Sequence, residues 1–238
     1  MLEEDGRTFV RIGVATGNDS IYIVPSDTDI EPDRLLPLVM REDLQAGKIT
    51  NANRCVINTF ERKGVIDLAG YPRLKAYFET HIRAVKKRHV AQRSGEGWFR
   101  TIDRVYPELV GKPKLLIPDI AGSNEVVFEE GKFFPHHNLY FIISDSWDLE
   151  VLGGLLSSRV ALFFVWSYAV KMRGGYLRFQ AQYLRRIRVP HPESISPGVK
   201  GRIKAAFRAR DFAALDELAT TAYGLDAPPT FDFVDTRK

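Results

Sequence analysis

Cysteine is nearly absent from this chain of 238 residues, because Cys55 is the only one. A single cysteine excludes an internal disulfide framework and a zinc site built from clustered cysteines. Long hydrophobic runs are missing too: the densest, at 160–166, is far shorter than the roughly 20 residues that cross a bilayer. The first residues, MLEEDGR, are acidic and contain no apolar segment of the kind that directs secretion. These absences predict a cytoplasmic protein with no membrane partner.

Several motifs of catalysis are also absent. The sequence contains no glycine-rich phosphate loop of the GxxxxGK[ST] or GxGxxG type. Its serines have no GxSxG context, so a hydrolase site of the α/β type is not supported. We therefore expect no self-sufficient catalytic site and no bound cofactor in this chain.

Acidic residues are unevenly distributed, and two segments have few of them. Residues 171–190 contain six Lys and Arg and no Asp or Glu, and residues 73–104 contain nine basic and three acidic residues. Residues 1–45 have the opposite balance, with ten acidic and four basic residues. Clustered positive charge is typical of nucleic-acid binders, because each neutralised phosphate releases counterions. The alternative is a solvated helix face whose charges have a few carboxylate partners.

The hydrophobic pattern predicts an α/β fold of the mixed α+β kind, strand-rich, with a buried central helix and a C-terminal helical pair. Strands are expected in a hairpin over 11–24, and at 54–60, 114–117, 126–128 and 133–143. Helices are expected from Pro72, with Lys75, Lys86 and Lys87 off its apolar stripe, then over 148–170, 198–210 and 211–223. Residues 1–225 form one predicted domain, and 226–238 a tail.

One short motif suggests a nuclease. Pro118 and Asp119, followed by Glu130, Gly131 and Lys132, match the PD…(D/E)xK arrangement. In it two carboxylates hold a divalent metal and the lysine assists attack of water on a phosphodiester. The same residues are also common in turns, so the motif supports a metal-dependent endonuclease only as an alternative.

Two adjacent histidines, His136 and His137, raise the question of a metal site. Successive side chains of a strand point to opposite faces, so an adjacent pair on a strand does not chelate one ion. The sequence therefore predicts no metal site, with one histidine facing the core and the other the surface or a ligand.

Lys112 and Lys114 alternate along a predicted strand and share one of its faces, about 7 Å apart. Two like charges at that spacing require anions or carboxylates opposite them, and DNA phosphates would meet that requirement. A solvated edge strand protected against aggregation by its lysines is the alternative.

The segment 173–188, RGGYLRFQAQYLRRIR, interleaves arginines with aromatic residues. Arginine recognises guanine edges and phosphates with two parallel hydrogen bonds, and glutamine pairs with adenine. In the alternative interpretation the aromatic residues are core and the arginines are ordinary surface. The candidate DNA contacts in this segment are Arg173, Tyr176, Arg178, Gln180, Arg185, Arg186 and Arg188.

Taken in order, five segments resemble the target-recognition domain that follows the catalytic domain in Taq-like and Eco57I-like adenine-N6 DNA methyltransferases. They are IGVATGNDSIYIV, KPKLLIPDI, FPHHNLYFI, LEVLGGLLSSRVALFFV and GGYLRFQAQYLRRIRVP. DFAALDELATTAYGL is similar to that family's closing helix, so the resemblance extends from about Arg11 to Leu225.

The resemblance implies that this chain binds duplex DNA and selects its sequence. In the family, S-adenosylmethionine binding and methylation of a flipped adenine belong to the catalytic domain. This chain lacks the Asn/Asp-Pro-Pro-Tyr/Phe tetrapeptide with which amino-group methyltransferases hold an extruded base. The catalytic domain is therefore expected in cis, in a longer enzyme that can also carry restriction activity, or in trans, as a separate subunit. A protein-interaction scaffold with no DNA affinity is the third hypothesis.

Overall fold

A computed structural model describes residues 1–50, 52–121, 125–172 and 176–231 of the chain. Its strands are β1 (Thr8–Ile12), β2 (Ile23–Pro25), β3 (Leu35–Val39), β4 (Leu44–Gln45), β5 (Lys48–Ile49), β6 (Arg54–Ile57), β7 (Phe60–Glu61), β8 (Gly64–Val65), β9 (Lys114–Pro118), β10 (Ile120–Ala121), β11 (Val127–Glu129), β12 (Phe134–Pro135), β13 (Leu139–Ser144) and β14 (Leu177–Arg178). Its helices are α1 (Asp19–Tyr22), α2 (Pro72–Thr80), α3 (Ile82–Lys86), α4 (His89–Arg93), α5 (Leu149–Leu156), α6 (Arg159–Tyr168), α7 (Ala181–Leu184), α8 (Pro197–Ala209) and α9 (Phe212–Ala222). The predicted mixed α+β class is confirmed.

The central sheet has the strand order β1-β13-β9-β11 and is antiparallel throughout. All five residues of β9 are buried, because apolar side chains cover both faces of the strand. Its partner β13 aligns Tyr140 with Ile117 and Phe141 with Leu116. One face of this sheet packs on the C-terminal helices and the other on the second sheet.

The second sheet has the order β12-β3-β6-β2, and its β12–β3 pairing is parallel. The predicted hairpin over 11–24 is wrong. Gly17 does adopt a positive φ of 84°, but residues Asp19–Tyr22 form the short helix α1 between the two strands. Strand β1 consequently joins the central sheet and β2 the second sheet.

The predicted helix over 148–170 consists of two helices that meet at an angle of 60°. Asp148 caps α5 as expected, since its carboxylate accepts from the backbone N–H of Glu150 and Val151. Ser158 begins α6 in the same way, accepting from the N–H of Ala161. A second cap inside the apolar run therefore breaks the helix. Among the described residues, no single helix is long and apolar enough to cross a membrane, and only this bent pair reaches that length.

Two glycines allow α5 to lie very close to the C-terminal helices. A Cβ at Gly153 would be 2.7 Å from Phe207, and one at Gly154 would be 2.5 Å from Ile203. Only glycine at these two positions permits that approach without a shift of the neighbouring side chains. Helices α8 and α9 are the predicted C-terminal pair, and beyond them Phe231 packs against Trp166 with ring centroids 5.3 Å apart.

Candidate nucleic-acid interface

The segment 176–190 runs across the end of the central sheet as strand β14 and helix α7. Strand β14 pairs with β10, and the N–H of Phe179 donates to the carbonyl of Asp119 at 2.7 Å. Its apolar residues Leu177, Phe179, Leu184 and Ile187 are buried in the core. Because these residues are buried, the polar side chains between them point outward. The segment therefore contributes apolar residues to the core, as in one interpretation, and presents polar residues that could contact DNA, as in the other.

Arg178 is held in place by a carboxylate of the same chain. Its Nε and Nη2 donate to the two carboxylate oxygens of Asp119 at 3.0 and 2.7 Å. This two-bond pairing raises the pKa of Arg178. The guanidinium is still about one-third exposed, so a nucleic acid can approach it, but only in competition with Asp119.

The other arginines predicted to contact DNA differ in how free their guanidinium groups are. Arg185 is committed to the chain itself, because it pairs with Glu3 at 2.9 Å and donates to the carbonyl of Val10 at 2.7 Å. Arg186 and Arg188 are exposed, and the guanidinium of Arg186 lies 4.4 Å from the ring centroid of Tyr168.

The two candidate base readers of the segment also differ. The side chain of Tyr176 is exposed. Gln180 precedes α7 and accepts a hydrogen bond from Gln182 at 2.9 Å. The prediction for Arg173 lies outside the described residues.

The prediction for Lys114 is corrected by the structure. Its side chain is 0 % exposed and its Nζ lies 2.6 Å from Glu129 Oε2, directly across the β9–β11 pairing. The Phe133 carbonyl accepts a further bond at 3.2 Å. Burial lowers the pKa of Lys114, and the bond to Glu129 opposes that shift. This lysine is a buried ion-pair partner and does not reach a phosphate, whereas Lys112, two residues earlier, is exposed.

The nuclease alternative fails on geometry. Glu129 aligns with Lys114, so Glu130 lies near the start of β9 while Asp119 follows its end. Six residues of extended chain place the two carboxylates about 20 Å apart, too far to share one metal ion. Glu130 instead pairs with Lys132 at 2.8 Å on the surface, and Asp119 forms a salt bridge with Arg178.

The strand pattern expected at the histidine pair holds only in part. His136 forms an isolated bridge with Val14 directly after β12, whereas His137 begins a turn. Their ring centroids lie 4.0 Å apart. As predicted, one is buried and the other exposed: His136 lies in the core and His137 at the surface. The pair is therefore available to a single ligand.

Helices α2 to α4 form a second basic surface. The charge cluster at 73–104 was identified from the sequence, but no DNA-contacting residues were assigned to it. Its exposed cations are Lys75, Arg83, Lys86, Lys87 and Arg93. None of the five forms an ion pair with a described carboxylate. The lysines already fell off the apolar stripe of the predicted helix, and this was the signal that located the surface.

Arg88 belongs to the same helices but has a structural role. Its guanidinium donates to the carbonyls of Thr16 and Arg100 at 3.1 and 2.9 Å and to the hydroxyl of Tyr22 at 2.6 Å. It thereby forms the floor of a cavity of about 750 Å³, whose rim includes His89 and Arg93.

A second cavity of about 540 Å³ lies on the other side of the segment 102–104. Arg11, Arg104 and Lys112 line it together with Tyr106, whose side chain is half-exposed. Ile102 borders the first cavity and Asp103 the second, so the two concave surfaces are neighbours. Together they extend positive charge from α4 towards Lys112.

Comparison with known proteins places this architecture in a family. Residues 68–189 match the TaqI-like C-terminal specificity domain. Over 227 residues the chain is 50% identical to the Type II methyltransferase M.XhoI of Xanthomonas vasicola, covering 94% of this chain and 41% of the relative. It is 47% identical to M.BstVI of Geobacillus stearothermophilus over 228 residues, covering 94% and 41%. The chain thus spans about two-fifths of the length of these relatives.

Solved structures have the same fold. The Type IIL restriction-modification enzyme MmeI, determined in complex with DNA, superposes with a TM-score of 0.68 at 15% identity, covering 93% of this chain and 33% of MmeI. The type IIG restriction endonuclease BpuSI gives a TM-score of 0.52 at 12% identity, covering 92% and 31%. The sequence match and the fold agree, and the chain belongs to the family of TaqI-like C-terminal specificity domains.

Proposed function

We propose that this chain is the DNA-recognition part of a Type II adenine-N6 methyltransferase that uses S-adenosylmethionine. The catalytic part, which binds that cofactor and methylates the extruded adenine, is supplied in cis or in trans. The proposal is supported by family membership and by relatives that are Type II methyltransferases more than twice as long as this chain. It places the activity in the cytoplasm, with duplex DNA as the partner.

The observation that carries the proposal is a grouping of exposed cations that form no salt bridge with a described carboxylate. They are the five cations of α2 to α4, Lys112 beside the second cavity, and Arg186 and Arg188 after α7. Cations grouped on a surface without carboxylate neighbours create a positive potential that attracts phosphates.

Within this function the residues have two roles. Lys112, Arg186 and Arg188 contact phosphates and fix the orientation of the duplex without reading its sequence. Tyr176, Gln180 and Arg178 lie along the same segment and are the candidates for contacts with base edges. Lys114 is excluded from both roles because it is buried, whereas Arg185 pairs with Glu3 but its side chain is 41% exposed, so a phosphate contact would compete with Glu3.

Salt dependence of DNA binding tests the proposal. Affinity for a duplex, measured by fluorescence anisotropy, should fall linearly in a double logarithmic plot against salt, with a slope of about −0.9 for each phosphate contacted. Lys112→Ala and Arg188→Ala should each reduce that slope by about one unit. Arg202→Ala, which removes an exposed arginine of α8, is the matched control and should leave the slope unchanged.

The same titration is repeated with the catalytic part joined to the chain, since an isolated recognition domain binds its site with less of the total contact surface. Binding that does not depend on salt, or no binding in either form, contradicts the proposal. It would favour a protein-interaction scaffold instead.

A further inference from the structure

Three side chains with metal-binding chemistry converge where the start of the chain meets the turn between β12 and β13. One ligand atom each from Asp19, His136 and His137 lies within 4.8 Å of the other two. Asp19 Oδ2 and His136 Nε2 are 3.0 Å apart. Ligand atoms about 2.0 to 2.2 Å from a tetrahedral zinc ion lie about 3.4 Å from one another, so this pair, now at hydrogen-bond distance, would separate slightly around an ion.

The backbone of this cluster is firmly positioned. The N–H of His136 donates to the carbonyl of Val39 at 2.9 Å, and that of His137 to the carbonyl of Val14 at 3.1 Å. Gly13 allows this contact, because a Cβ there would lie 2.2 Å from the carbonyl oxygen of His136. The two histidines are therefore fixed against the segment that leads to Asp19.

The Asp19 carboxylate is oriented as well. Its Oδ1 accepts a hydrogen bond from the hydroxyl of Thr16 at 2.5 Å, which leaves Oδ2 directed at His136. A hydrogen bond that orients a ligand from behind is the usual support of a metal site.

His136 is almost fully buried, and its Nε2 is the nitrogen directed at Asp19. Its Nδ1 has no hydrogen-bond partner among the described residues. By contrast, His137 and the Asp19 carboxylate are accessible to solvent, which gives an ion a route to the cluster.

We propose that Asp19, His136 and His137 bind one divalent transition-metal ion of the zinc class. Two imidazole nitrogens and one carboxylate oxygen suit zinc and exclude a preference for magnesium or calcium, which favour oxygen ligands. The ion connects α1 to the turn between β12 and β13. Its role is structural: it fastens the N-terminal segment beside Asp119, the residue that holds Arg178.

Zinc titration of the untagged chain tests this proposal. After dialysis against a chelator, isothermal calorimetry with Zn²⁺ should show one ion bound per chain, and Zn²⁺ should raise the melting temperature. His137→Ala and Asp19→Asn should each weaken binding by at least about tenfold and remove the thermal shift. Both residues are partly exposed, so these variants are expected to fold.

His191→Ala is the matched control, because His191 is exposed and lies far along the chain in another loop. It should bind zinc like the unaltered chain. Absence of binding, or equal loss in the His191 and His137 variants, overturns the proposal. Circular dichroism of each variant in chelator confirms that a loss of binding is not a loss of fold. The result is independent of DNA binding, so it stands or falls separately from the proposed function.

Discussion

Lys114, which is buried against Glu129, is the residue whose role the sequence analysis predicted least accurately. The predicted shared face of Lys112 and Lys114 does not hold, because Lys112 precedes β9 and is exposed while Lys114 is buried. The physical requirement for a carboxylate opposite Lys114 was correct. What a local pattern does not contain is the register between β9 and β11, which supplies that carboxylate from the chain itself. The ammonium group of Lys114 therefore forms an ion pair in the protein interior and does not contact DNA.

Removing the Glu129 carboxylate should strongly destabilise the fold. Glu129 accepts from Lys114 and from the backbone N–H groups of Gly131, Lys132 and Phe133. Glu129→Gln leaves an uncompensated buried ammonium, so we expect the free energy of unfolding to fall by about 3 to 5 kcal/mol in urea denaturation.

Glu130→Gln, at the adjacent exposed position, is the control and should leave the urea midpoint unchanged, because surface ion pairs contribute little. A small effect of Glu129→Gln, similar to that of the control, would show that the pair does not stabilise the fold.

The pairing of Arg178 with Asp119 predicts a gain of DNA affinity on mutation. Asp119→Asn removes the competing carboxylate, so non-specific duplex binding should strengthen and its salt slope should become steeper by about one unit. Anisotropy with a random-sequence duplex measures both. Arg178→Ala should produce no such gain, and an Asp119→Asn variant that binds more weakly would mean that Arg178 needs its carboxylate to be positioned at all.

At the scale of elements, the glycines of α5 offer a test of close packing. In Gly154→Ala the new methyl group would meet Ile203 at 2.5 Å and Leu215 at 3.1 Å. Overpacking of this kind destabilises by about 1 to 3 kcal/mol, which outweighs the gain in helix propensity.

Gly201→Ala, in the interior of α8, is the matched control. No atom lies within 4 Å of the Cβ it would gain, so it should stabilise the protein by up to about 1 kcal/mol. Equal and favourable changes in thermal denaturation at both positions would contradict the proposed packing of α5 on α8 and α9.

The start of α5 is clamped to α8 by ion pairs that predict a pH dependence. Hydrogen bonding to Arg208, followed by bonding to Lys204, lowers the pKa of Glu150. A carboxylate whose folded pKa lies below its unfolded value stabilises the protein above about pH 4.5 and loses that contribution as the pH falls further.

Urea denaturation at a series of pH values from 7 downwards measures this contribution. Glu150→Gln should make the decline in stability below about pH 4.5 shallower than in the unaltered chain. Glu193→Gln, at an exposed residue of another loop, is the control and should leave the decline unchanged. Superimposable profiles for all three proteins would show that the clamp is not formed in solution.

Most long elements were predictable because their signals are local. Pro72, Asp148 and the small residues of α5 lie where capping and packing rules place them. The hairpin over 11–24 was wrong because strand alternation and a single turn of helix look alike over four residues. The α5–α6 break was missed because the run 148–170 is apolar almost throughout, although Ser158 within it caps a helix.

At the scale of the whole molecule, the proposed function predicts transferable specificity. Joining this chain to the N-terminal part of a Type II methyltransferase relative should give an enzyme that methylates adenine at N6. The site should be the one set by this chain, as sequencing of methylated plasmid would show. Methylation at the relative's original site, when the two sites differ, would place sequence selection outside this chain.

The sequence predicts only part of the candidate interface, because it does not show which cations are paired in the folded chain. Exposed cations such as Arg186 and Arg188 follow from charge clustering in the sequence, whereas Lys112 was proposed from its spacing to Lys114 on a predicted strand. The loss of Lys114 and Arg185 to internal carboxylates does not follow from the sequence, because Glu129 and Glu3 reach them only through tertiary pairing. The cluster of Asp19 with the two histidines was equally hidden, since it joins residues more than a hundred positions apart.

The pairing of β1 with β13 has a consequence for the order in which the protein forms. Thr8 aligns with Ser144, so β1 has no partner in the central sheet until more than a hundred further residues have been synthesised. Contacts of such long sequence separation are slow to form, because a large loop must close first. A domain attached ahead of Met1 would thus complete its own synthesis and folding while β1 is still unpaired, and the junction between the two would be among the last parts to become rigid.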